Sequence, residues 1–508
     1  MGQEKRSNQP PNAVPEGRMT RRAFLKSAVA AGLGMPAISA LLAACGGGAP
    51  QAPSGASSTA PAAGGAAAGG GKPASLNMLY ATVEADVDAI KLVLPDFKAA
   101  TGIDIKLDSM PYDALQQKAF AELAASSSYY DVMICDTPWT PALTQKLEPL
   151  SGYITNAQLN DIAKVDINDF IPKVFFDTAV YHPTESHRQF PSPDKIDIDA
   201  IKSQGFDVFG LPLQANVLTM SYRKDLFDDA KEQADFQQKN GKPLKIPETW
   251  DDFVTVAQFF TRPDQRLYGT TVMAGNGDWA TDDFKTLLAS WGGDGHLVTD
   301  KFELAFNSQQ GVDALSFYAD LINKYKVTPP GATSFSWDTA ASTFASGLTA
   351  LSMNYHTVSL NPDIKGQVAY AQVPKKSAYG PHFGTWMLSV NKFSQNKEWA
   401  YRAITWFTSA DAQAKMLQTQ LHPSRISVYE KAKTEPSLKD SANFYDILGK
   451  SLAVGVGRPR LTNYGAVDKE IWVAVNQAAS GSMAPKDALS GAAAKVTSLL
   501  KEAGYPVG

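Results

Sequence analysis

The chain has few residues arranged for bond-making chemistry and several arranged for recognition. It contains no Gly-x-Ser-x-Gly elbow, His-Glu-x-x-His pair or P-loop, and no motif presents two carboxylates poised to flank a scissile bond. The six histidines are scattered, with no pair at helical ligand spacing, so neither a metal site nor a cofactor is expected. What remains are aromatic rings beside polar turns. Asp136-Thr137-Pro138-Trp139 follows an apolar run, Gly275-Asn276-Gly277-Asp278 leads into Trp279, and Pro423-Ser424 precedes Arg425. A flat ring stacks on the weakly apolar C–H face of a sugar, while fixed polar groups take its edge hydroxyls. Asp136, Trp139 and Trp279 are candidates for such work. Arg425 is a candidate clasp for a ligand oxygen, although a buried ion pair or helix-end contact would explain it equally well. Trp250, Trp399 and Trp406 are assigned to packing.

A second kind of chemistry lies near the start. Thr20-Arg21-Arg22-Ala23-Phe24-Leu25-Lys26 resembles a twin-arginine export signal, followed by a mildly apolar stretch from Ser27 to Ala44. Diluted by Gly32, Gly34, Pro36 and Ser39, that stretch is a poor membrane span, which needs ~20 consistently apolar residues. It ends in Leu42-Ala43-Ala44-Cys45, which resembles the lipobox of bacterial lipoproteins. Small residues admit the chain to a peptidase, and the Cys45 thiol is the natural nucleophile for a thioether. Residues 1–45 are therefore expected to be a removable signal ending at a lipidated Cys45. Residues 46–74, rich in Gly, Ala, Pro, Ser and Thr, form a flexible tether.

Composition agrees with export. Of 47 Lys and Arg and 51 Asp and Glu, six and two fall in the first 44 residues, leaving 41 against 49 and a formal net charge of −8. Such a body has no global pull on nucleic acid. Cys135 is left without a partner once Cys45 is lipidated, and its place in Val132-Met133-Ile134-Cys135 marks it as a small buried hydrophobe. The body of about 430 residues exceeds one compact core, so two lobes are expected.

The elements that must carry these residues alternate. Leu76 to Tyr80 reads as a buried strand, Ala89 to Ala99 as a helix, and Ile103 to Leu107 as a half-buried strand. A helix over about Tyr112 to Ala125 and a strand over Asp131 to Cys135 follow, a pattern that implies a parallel sheet with right-handed crossovers. Ligands in such sheets bind beyond the carboxyl ends of the strands, where the turn after Cys135 delivers Asp136 and Trp139. Thr249 and Asp252 make a capping pattern. Val312, Leu315, Ala319 and Ile322 share one helix face, as do Ala400, Ala403, Ile404 and Phe407. The stretch 181–206, rich in Pro, Ser, Asp and His, breaks the pattern and reads as a loop insertion.

The order of these features resembles the family 1 extracellular solute-binding proteins of ABC transporters. The match is carried by Tyr130-Asp131-Val132-Met133-Ile134 with its Asp-Thr-Pro-Trp turn, Gly210-Leu211-Pro212-Leu213, and Leu218 through Phe227. Pro247 to Phe253, Asn307-Ser308 before Gly311 to Leu315, Phe344-Ala345-Ser346-Gly347, Gly384-Thr385-Trp386 and Pro423-Ser424-Arg425 complete it. The resemblance implies an α/β, two-lobed periplasmic-binding-protein fold of the class II type, each lobe a mostly parallel sheet flanked by helices. It places the N-terminal lobe at 75–212 and 374–412 and the C-terminal lobe at 213–373 and 413–508, joined at a hinge. It also implies that Tyr80, Glu84, Asn216, Tyr355, His356 and Trp386 face the cleft with Asp136 and Trp139. The expected function is a non-catalytic one. A monomeric, lipid-anchored binding protein on the outer face of the cell membrane, or in a periplasm, captures a sugar and delivers it to permease subunits. The alternatives are a glycerol phosphate or polyamine as cargo, or an exported enzyme acting on glycans.

Overall fold

The computed structural model describes residues 71–82, 84–293, 295–355, 367–438 and 442–507. The expected signal, Cys45, most of the expected tether and His356 lie outside the described residues, as does the side chain of Glu84. Within them the chain folds into two lobes, each a sheet with its own apolar core flanked by helices.

Among the described residues eleven strands run in order: β1 (Ser75–Ala81), β2 (Asp104–Met110), β3 (Val132–Asp136), β4 (Val180–Tyr181), β5 (Asp207–Val208), β6 (Leu211–Val217), β7 (Thr219–Arg223), β8 (Tyr268–Thr270), β9 (Thr349–Asn354), β10 (Val368–Ala371) and β11 (Phe383–Val390). The first sheet has the order β2-β1-β3-β11-β6 and the second β10-β7-β9-β8. β1 is parallel to β2 and β3, as the strand–helix–strand reading requires. β11 is antiparallel to both β3 and β6, because the chain re-enters the first lobe from the second and runs back across the sheet. In the second sheet only β8 and β9 are parallel. The sheets are therefore mixed, and the mostly parallel arrangement expected from sequence holds for β1 to β3 and for the β8–β9 pair.

The cores follow from the periodicity of the sequence. β3 is buried along its whole length, so its residues are all apolar up to Asp136. Helix Glu84–Thr101 lays Ile90, Val93 and Phe97 on the first core, and Lys397–Phe407 adds Ala400, Ala403, Ile404 and Phe407. Helix Trp250–Phe260 begins where Thr249 Oγ1 accepts from the Asp252 backbone N–H at 3.2 Å, and it buries Trp250, Phe253 and Phe260 in the second core. Trp399 and Trp406 pack at the margin of the first core. Cys135 is fully buried in β3, and burial pushes its thiol up to about 12.

The segment after residue 412 divides. Met416 and Leu421 join the first core, while Leu417, Val428 and Phe444 form a third cluster with Val174, Ala215, Val217 and Phe383. From Leu461 onward the chain belongs to the second core.

The stretch 181–206 is a folded excursion on the first lobe. β4 and β5 pair at its base, Asp197 caps the helix Ile198–Ser203, and Phe190 stacks on Phe176 with ring centroids 5.4 Å apart. At its outer end His187 reaches the second lobe, lying against Phe302 and Tyr505 at 5.5 and 5.8 Å.

Candidate functional site

β3 ends at Asp136, and the turn that follows carries Trp139 into the short helix Thr140–Leu143. Trp386 on β11 pairs directly with Asp136 on one side and Gln214 of β6 on the other. A β-bulge between Trp386 and Met387 interrupts this register, a device that re-aims side chains beside functional sites. Tyr112 opens the helix Tyr112–Ala124 and donates its hydroxyl to Asp136 Oδ2 at 2.9 Å. The Tyr112 ring lies 5.1 Å from Trp139 and 5.7 Å from Trp386, and those two indoles meet edge to face at 5.4 Å.

The second lobe supplies the opposing wall. Trp279 stands at the start of helix Asp278–Ser290, and its ring packs against Trp337, the first residue of helix Trp337–Ala345, at 5.1 Å. A Cβ on Gly277 would lie 2.3 Å from the Trp279 ring, so only glycine lets the turn pass beneath that indole. Trp337 in turn meets Tyr112 at 6.0 Å. Five rings thus run without a break from one lobe to the other. The indole N–H groups of Trp139, Trp279 and Trp337 are buried and have no hydrogen-bond partner among the described residues.

A polar network lies beside the rings. Arg458 Nη2 donates to both oxygens of Asp282 at 3.2 Å, Tyr355 donates to Asp282 Oδ2 at 3.0 Å, and His382 Nε2 stands 2.7 Å from Asp282 Oδ1. Gly384 makes room for this guanidinium, since a Cβ there would sit 2.6 Å from Arg458 Nη1. Burial raises the carboxyls of Asp136 and Asp282, with Arg458 opposing it in both. Asp278 is driven well above the usual carboxylate range by burial and by the charges of Asp282 and Asp468. Burial also pushes Asp468 up to about 7 and Lys285 down to about 7, and it holds His382 well below its ordinary value.

Of the residues singled out from sequence, Asp136, Trp139 and Trp386 come together, and Trp279 joins them through Trp337. Tyr80 is fully buried in the first core. Asn216 is half-buried, with Oδ1 2.8 Å from His422 Nδ1. Tyr355 spends its hydroxyl on Asp282. Arg425 is fully buried, sits 3.9 Å over the Phe170 ring and donates to the carbonyls of Val165, Asp166 and Thr408. Asp169 Oδ2 lies 3.4 Å from it, so Arg425 ties the segment after residue 164 to the first lobe and is no clasp for a ligand. Sequence reasoning missed Tyr112, Asp278, Trp337, Gln214 and Arg458. The signal for Arg458 was present: Arg458-Pro459-Arg460 is a basic pair late in an acidic chain.

Comparison with known proteins agrees with this architecture. Residues 80–414 match the family model described as bacterial extracellular solute-binding protein, and the chain belongs to that family. It is 23% identical to the probable amino-acid ABC transporter periplasmic-binding protein y4oP of Sinorhizobium fredii, over 84% of this chain and 89% of that one. It is likewise 23% identical to a putative binding protein of Brucella abortus, over 68% of this chain and 78% of that one. Among solved structures, the maltose-bound MalE3 of T. maritima shares the fold at a TM-score of 0.68 and 24% identity, covering 84% of this chain and all (100%) of that one. A solute-binding protein of Agrobacterium radiobacter K84 in complex with ribitol gives a TM-score of 0.66 at 22% identity, covering 84% and 98%.

Proposed function

We propose that this protein is the substrate-capturing component of an ABC importer, binding a sugar or polyol between its lobes and delivering it to the membrane permease. The observation that carries the reading is the five-ring wall from Tyr112 to Trp279, which draws on both lobes and is flanked by the carboxylates of Asp136 and Asp278. Rings stack on the C–H faces of a carbohydrate, and the free indole N–H groups and carboxylates match its hydroxyl edge. Similar folds hold maltose, tagatose and ribitol, all neutral and polyhydroxylated.

Binding across a hinge stabilises the closed form, and the shift can be no larger than the solute's preference for closed over open. Lipidation at Cys45 would hold the body to the outer face of the membrane through the tether, as a monomer and with no catalytic step. An amino acid, the cargo in the name of the Sinorhizobium relative, would need a cation for its carboxylate. Arg458 is already committed to Asp282, and this favours the sugar.

The test is thermal unfolding of the chain lacking its first 45 residues, against sugars, polyols, glycerol phosphates, polyamines and amino acids. A solute at a hundred times its dissociation constant should add ~2.7 kcal/mol of stability. A saturable rise with a sugar or polyol supports the reading; a rise confined to phosphates or amino acids replaces the cargo.

A further inference from the structure

The cleft holds more acid than base. Around Asp278 lie the carboxylates of Asp136, Asp282 and Asp468 and the single guanidinium of Arg458. Asp282 is satisfied by Arg458 and Tyr355, and Asp468 accepts from Tyr464 at 3.3 Å. Asp136 accepts from Tyr112 and from the Thr137 backbone. The other basic groups are spent elsewhere: Lys285 donates to the Val456 carbonyl, and His382 stands against Asp282. Asp278 alone of these four carboxylates accepts no hydrogen bond from any described residue, although it is half-buried beside Trp279.

An independent feature points to the same place. Gln214 is 1% exposed, and neither atom of its amide has a hydrogen-bond partner among the described residues. It pairs across β11 with Trp386, which pairs with Asp136, so the three form one cross-strand row. Buried amides are almost always satisfied, so this one is open to a donor and an acceptor from outside the chain. The neighbouring rings suit a cation as well as a sugar face, because the π-cloud attracts positive charge.

We propose that the solute is an amine-bearing saccharide or polyol, whose ammonium group is taken by Asp278 with Asp136 facing it, while its ring lies against Trp139, Trp386 and Trp337. The assignment rests on the carbohydrate reading of the cleft and narrows it. A neutral sugar can fill the hydrogen bonds of this site while Asp278 holds a proton, whereas a cation pairs with the ionised carboxylate. Gln214 supplies an amide for a hydroxyl, and the indole faces hold the C–H surface.

The experiment is titration calorimetry on the full chain solubilised in mild detergent. Its probes are matched pairs: D-glucosamine against D-glucose and N-acetylglucosamine, and acarbose against maltotetraose, with spermidine as charge without sugar. The amine member of at least one pair should bind roughly tenfold or more tightly than its neutral partner. Asp278→Asn should abolish that preference, bringing the amine member's affinity to that of its neutral partner. Asp136→Asn, checked for folding by its thermal midpoint, should narrow the preference in the same direction. Equal or tighter binding of the neutral members overturns the charge assignment and leaves the sugar reading standing. Binding of spermidine alone, or of no saccharide at all, overturns both.

Discussion

Tyr112 of the first lobe and Trp337 of the second meet edge to face, with ring centroids 6.0 Å apart and planes at 74°. Each is the first residue of its helix, and each is only half-buried. Their contact closes the aromatic wall that runs from one lobe to the other.

Trp337→Ala should therefore weaken solute binding by about 2 kcal/mol or more, as truncation of a central aromatic anchor does. Because Trp337 lies at the margin of the second core, the thermal midpoint should move far less than in Trp250→Ala, whose ring is 1% exposed. Calorimetry with the best solute from the panel and a melting curve together check this. Unchanged affinity would remove Trp337 from the site.

Arg425→Ala should do the reverse. It takes the charged donor from the Val165 carbonyl and one of the donors from the Asp166 and Thr408 carbonyls and from Asp169, which keep others, a loss of about 2–3 kcal/mol. Solute affinity of the folded fraction should stay unchanged. Denaturant unfolding measures the first quantity and calorimetry the second.

Asp283 gives a pH signature. Burial pushes its carboxyl from 3.8 up to about 7, while the Met273 backbone and the Tyr318 hydroxyl donate to its Oδ2. The unfolded chain returns the group to the ordinary range, so between about pH 4 and 7 the folded state holds more protons than the unfolded one. This group's contribution to stability accordingly falls as pH rises through that window and is constant above it. Asp283→Asn keeps the accepting oxygen and cannot ionise. Its stability curve should fall less steeply than that of the parent over the window, and parallel curves would count against a raised carboxyl.

Cys45→Ala should release the body from the membrane. Cell fractionation should find the parent with the membranes and the variant in the soluble exported fraction. A variant that remains on the membrane would show another anchor.

The legible parts of the fold were those governed by local periodicity. β1, β3 and the Thr249 cap fall within a residue or two of their expected positions, since apolar runs and capping hydroxyls act over a few residues. The direction of β11 was not legible, because it depends on where the chain re-enters a sheet that it left at Val217. The site divided in the same way. The placing of Asp136 and Trp139 was legible because a turn after a buried strand carries them to the carboxyl end of the sheet. Tyr112 and Trp337 each open an ordinary helix, and nothing in the flanking sequence distinguishes them from core rings. Arg425 misled because an arginine in a Pro-Ser-Arg turn looks the same from sequence whether its partners are carbonyls or a ligand.

The reach of His187 to Phe302 and Tyr505 has a consequence for timing. Any swing that parts the lobes on that side must strip an imidazole from two stacked rings and wet all three surfaces. That apolar cost is met on opening whether or not a passenger is aboard, so it lengthens the dwell of the shut state and slows escape of whatever has been caught.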